Sequence, residues 1–174
     1  NPNSIIVDVH FHPRIIDFSF IQFFLSKTEI RRFNDTSVFN APEIYVSNDC
    51  FKSSDVYSFG MIVYYITTNQ IPFSELKPFE FIKSVLENKL ELNIDDGNVF
   101  KDMINRCCSK DHRKRPTFSE LAEEIKRNSK YITSKINVDK FQEYVKLTKD
   151  INPITESTQL EENNSYKDKD DKDR

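Results

Sequence analysis

The run from Val56 to Ile66 constrains this chain most, because it is apolar on nearly every side. A helix with one wet face repeats its apolar residues every three or four positions; one that is apolar all round has to lie inside a fold. Its start is signalled as well. Ser53 and Ser54 offer N-cap hydroxyls, and Asp55 suits the positive end of the helix dipole. The pattern predicts a central buried helix, and 174 residues suffice for one domain with a core around it, plus a tail. The same run is far short of the roughly 20 apolar residues that span a bilayer. No signal-peptide pattern opens the chain, so a soluble, cytoplasmic protein without a membrane role is expected.

Three further helices follow from periodicity. Pro78 to Asn88 carries Phe79, Ile82 and Leu86 on one stripe behind a proline suited to a first turn. A segment from about Asn98 to Cys108 places Val99, Met103, Ile104 and Cys107 inward. Thr117-Phe118-Ser119-Glu120 is a capping box, followed by the stripe Phe118, Leu121 and Ile125. Two short strands, Ile5 to Val7 and Arg14 to Ile16, are joined by a loop with His10, His12 and Pro13. Residues 21–40 have no clean period.

Beyond Ser129, Val138, Phe141, Val145 and Thr148 permit one weak amphipathic helix over 138–149. Residues 152–174 hold few apolar groups and are expected to stay disordered.

Composition excludes several functions. The 25 basic and 28 acidic residues are interspersed, so no basic face points to nucleic acid. Cys50, Cys107 and Cys108 form an odd set, and the adjacent pair lacks metal-ligand spacing, which suits a reducing compartment. His10 and His12 alternate towards one side of an extended segment, but with no obvious third ligand they read as exposed hairpin histidines. With only Gly60 and Gly97, the chain cannot build a glycine-rich loop whose backbone approaches phosphates. Nothing in the spacing around Asp111-His112 supports a hydrolytic triad.

Asp17-Phe18-Ser19 and Ala41-Pro42-Glu43 carry a resemblance. They resemble the Asp-Phe-Gly and Ala-Pro-Glu landmarks that bound the activation segment of the protein-kinase superfamily. Ser53-Ser54-Asp55-Val56-Tyr57-Ser58-Phe59-Gly60 resembles the start of the central F helix. Cys107 to Phe118 resembles the C-W-x-x-D-x-x-x-R-P-T-F signature of tyrosine-kinase-like serine/threonine kinases. The match is ordered along the chain and covers residues 1 to about 127. It implies a mainly α fold, a kinase C-terminal lobe with helices F to I and a short β element at the start. The kinase part spans residues 1–128, and 129–174 form an extension.

The resemblance also implies site residues. Asp17 takes the place of the magnesium-binding aspartate, and Ser4 that of the loop asparagine that helps hold the metal. Thr36 falls at the threonine position of the substrate-side loop. Glu43 and Arg115 are implied to form a partly buried bidentate ion pair, and Asp55 to accept backbone hydrogen bonds from the catalytic loop. Ser26, Thr28, Thr36 and Ser37 offer hydroxyls for phosphorylation. ATP and magnesium are the implied cofactors, and a protein substrate or partner the implied target. The catalytic base aspartate would fall just before Asn1, and the glycine-rich loop, its lysine and the paired glutamate would lie further upstream.

No catalytic residue is therefore assigned within the chain, and binding of ATP and magnesium by it alone is not expected. Three readings stay open: a piece of a serine/threonine kinase, a non-catalytic pseudokinase module favoured by Ser4 and Ser19, and a gene fragment without an independent role.

Overall fold

The structure, a computed structural model, describes residues 2–9, 12–16, 37–47, 49–133 and 136–149. It divides into two compact units, Asn1–Tyr131 and Ile132–Arg174. In the first, strand β1 (Ile5–Val7) pairs antiparallel with β2 (Pro13–Ile15), with Ile6 opposite Arg14. Helix α1 (Pro42–Val46), α2 (Lys52–Thr68), α3 (Pro78–Leu86), α4 (Lys101–Cys107) and α5 (Phe118–Arg127) follow. The described part of the second unit contains α6 (Val138–Lys149). The fold is mainly helical, as expected.

Helix α2 is the hub because its apolar residues point in several directions at once. Tyr57 and Met61 enter a core with Phe39, Ile44, Phe73, Phe81 and Val85. Val56 enters a second with Met103, Cys107 and Leu121, and Tyr64 a third with Ile94 and Ile104. Gly60 lets α2 meet the end of α4 closely: a Cβ there would lie 2.7 Å from both Cys107 Cβ and Cys108 Sγ. Asn69 ends the helix in the left-handed region at φ 56°, its N–H donating to the Tyr65 carbonyl.

Several expectations are corrected in detail. Helix α2 begins at Lys52, so Phe51 rather than Ser53 or Ser54 holds the N-cap position. Ser54 instead accepts the Phe51 N–H at 3.1 Å. In α3 the buried residues are Phe81 and Val85, whereas Phe79 and Leu86 are exposed. Phe81 is drawn inward because it meets Tyr45 edge-on at 6.0 Å and Phe73 at 5.8 Å. The expected third helix is shorter, and Val99 lies exposed in the turn before it while Phe100 packs on the core. Strand β2 is shifted one residue towards the start. In α5 the capping box forms as expected, Thr117 Oγ1 accepting from Glu120 N at 3.2 Å. Phe118 is half open to solvent, resting its edge on Phe59.

Candidate functional site

Glu43 and Arg115, 72 residues apart, form the most completely connected charged site of the described residues. Glu43 sits in the first turn of α1, which Pro42 opens with a φ already suited to a helix. Arg115 follows a short 3-10 turn, His112–Lys114, capped by the Asp111 carboxylate accepting from Arg113 N. The guanidinium donates to both carboxylate oxygens, Nη1 to Oε1 at 2.7 Å and Nη2 to Oε2 at 2.9 Å. Its side chain is 0% exposed and that of Glu43 12%.

The remaining donors of Arg115 are used too. Nε donates to the Ser109 carbonyl at 2.9 Å and Nη1 to the Ser53 carbonyl at 3.1 Å. The cation also lies 5.0 Å from the centre of the Tyr57 ring. Ser54 adds a third donor to Glu43, Oγ to Oε1 at 2.6 Å. Burial alone would raise the Glu43 pKa; the hydrogen bonds from Arg115 and Ser54 outweigh it and hold the carboxyl below the usual range. The pair thus fastens α1 to the start of α2 and to the loop before α5. Ser54 and the two carbonyls carry no signal in residue spacing, since each is specified only by how α1 and α2 meet.

The segment leading into α1 is fastened by neutral bonds. Tyr45 Oη accepts from Ser37 N at 3.0 Å and donates to its carbonyl at 2.6 Å, while Ser58 Oγ donates to the Phe39 carbonyl at 2.8 Å. Ser37 is half-buried, its hydroxyl accepting weakly from Phe39 N at 3.4 Å. Asp55, in the first turn of α2, is open to solvent yet crowded enough that desolvation raises its carboxyl pKa. Among the described residues its side chain makes no hydrogen bond or ion pair.

Ser4 lies in a 3-10 turn whose carbonyl accepts from Ile16 N at 2.9 Å. Asp17, Ser26, Thr28 and Thr36, with Ser19 and His10, lie outside the described residues. His12 faces Asp8, with Nδ1 3.4 Å from Oδ2, and Asp8 also meets Arg14 at 3.2 Å. His112 stacks on Phe51 at 4.2 Å. Among the described residues no group of three or more His, Cys, Asp or Glu could hold a metal ion.

The chain is similar in sequence to known proteins. The family model described as protein kinase domain matches residues 1–127. A probable serine/threonine-protein kinase of Dictyostelium discoideum is 36% identical over 97 residues, 55% of this chain and 8% of the relative. The dual specificity protein kinase shkD of the same organism is 28% identical over 151 residues, 82% of this chain and 20% of the relative. The chain thus spans a fifth or less of these two relatives.

Proposed function

Because this chain belongs to the protein kinase domain family, we propose that it is the substrate-side helical lobe of a tyrosine-kinase-like serine/threonine kinase. The family transfers the γ-phosphoryl group of ATP to protein hydroxyls, using magnesium, by positioning and charge stabilisation. In this reading α2 to α5 correspond to helices F to I, within a kinase part of residues 1–128 followed by an extension, 129–174. The protein acts in the cytoplasm on a protein substrate or partner.

The observation that carries the reading is the buried Glu43–Arg115 pair. It anchors the end of the segment in which Thr36 would seat a peptide to the rigid hub α2. Asp55, exposed in the first turn of α2 and with no side-chain partner among the described residues, is the proposed acceptor for catalytic-loop N–H groups. The β1–β2 hairpin adds weight, because Val7, Ile15 and Ile16 are exposed and a two-stranded sheet is marginal until a further layer covers it.

Asp17 is the residue proposed to meet magnesium, with Ser4 a poor substitute for asparagine, since a single hydroxyl replaces an amide carbonyl. Ser26, Thr28, Thr36 and Ser37 are the proposed phosphorylation sites. Ser4 is also the observation that favours a second reading, a pseudokinase module that binds partners without chemistry. In either case the 174-residue chain alone is not expected to hold ATP. A thermal-denaturation series with magnesium and ATP tests this: no shift in Tm is expected, and a saturable shift abolished by Asp17→Ala would overturn it.

A further inference from the structure

A cavity of about 310 Å³ opens between α2, the end of α3 and the segment after α4. That volume lies at the small end of sites that hold small molecules. Its inner wall is Tyr57, Met61, Phe73 and Val85, all buried. Its rim carries Ser84, Glu91 and Asn105. The walls come from α2, α3 and α4 and the loops between them, and Phe73 is held there at φ 55°, a conformation costly for a bulky side chain.

The Tyr57 side chain supplies the second observation. The residue is 3% exposed, and its hydroxyl has no hydrogen-bond partner among the described residues. Buried tyrosine hydroxyls usually find a partner, because a desolvated donor left alone is costly. Its neighbours do not fill that role. Cys108, which also lines the cavity, directs its thiol to the Tyr57 main-chain carbonyl at 3.9 Å, and Arg115 covers the ring face.

We propose that this cavity binds a small uncharged molecule, an apolar body about the size of one substituted ring, bearing an acceptor for the Tyr57 hydroxyl. An ionised ligand is disfavoured because charge transferred to this wall would lose hydration without a free counter-charge at depth. Lys110 at the mouth already donates to the Asn88 carbonyl at 2.8 Å, and Glu91 repels anions.

The test uses the two methionines of the 174-residue chain as reporters. Met61 lines the cavity, and Met103 lies in a separate core cluster. With carbon-13 methyl labelling, acetophenone, which has one carbonyl acceptor, is titrated against cumene, which has none. Acetophenone is expected to move the Met61 methyl saturably and leave Met103 in place. Tyr57→Phe, which keeps the ring and removes the unpaired hydroxyl, is expected to bind acetophenone about fivefold more weakly and cumene unchanged. Ser84→Phe, filling the mouth, is expected to abolish both. Absence of a saturable Met61 shift, equal movement of both methyls, or undiminished acetophenone binding by Tyr57→Phe would overturn the proposal, as would binding that survives a folded Ser84→Phe.

Discussion

Replacing Arg115 by alanine removes four hydrogen bonds at once, two to Glu43 and one each to the carbonyls of Ser53 and Ser109. Because the Glu43 side chain is only 12% exposed, the substitution leaves a nearly buried carboxylate with Ser54 as its remaining side-chain donor. Breaking a buried pair from one side costs about 3–5 kcal/mol. Glu43→Gln keeps the shape and some of the hydrogen bonds, so about 1–3 kcal/mol is expected.

Urea unfolding of the 174-residue chain, followed by circular dichroism, measures both. The pH dependence provides a check on cause. Glu43 has its folded pKa depressed, so its contribution is fully present above about pH 4.5, the ordinary value, and is lost as pH falls through the folded value. The wild type is therefore expected to lose more stability than Glu43→Gln across that acid window. An Arg115→Ala protein within about 1 kcal/mol of wild type, with the same acid dependence, would refute this assignment of the latch.

Gly60→Ala is expected to destabilise by about 1–3 kcal/mol, read as a lower urea midpoint, because its Cβ would press on Cys107 and Cys108 at 2.7 Å. Thr117→Ala, which removes the N-cap hydroxyl of α5, is expected to cost about 1 kcal/mol in the same assay. At pH 8 a thiol reagent is expected to label Cys50, which is exposed, and to spare Cys107 and Cys108 until urea unfolds the chain. Burial pushes the Cys107 thiol up to about 11 and Cys108 higher still, so neither offers much thiolate. Mass spectrometry showing rapid labelling of all three would contradict the packing around Gly60.

How much of this was legible in the sequence depended on whether local pattern had a single solution. Helix α2 did, since a run apolar on all sides can only be a hub. The α5 start did too, because Thr117 and Glu120 satisfy each other without help from elsewhere. Helix α3 offered two apolar stripes, and the periodicity of Phe79, Ile82 and Leu86 could not reveal that Tyr45 and Phe73 would claim Phe81. The short α1 has no counterpart among the expected helices, because five residues are too few to show a period. Glu43 and Arg115 became partners through resemblance to a family, since no spacing rule links residues so far apart. The place of Ser54 before Asp55 suggests a cap, but its bond to Glu43 depends on where α1 docks, which is tertiary information.

The proposal tested most directly is that this chain acts as the helical lobe of a kinase domain and does not transfer phosphate by itself. Incubation with radiolabelled ATP, magnesium and myelin basic protein is that test. No incorporation above a blank without the chain is expected. Magnesium-dependent incorporation that disappears in Asp17→Asn would contradict the account.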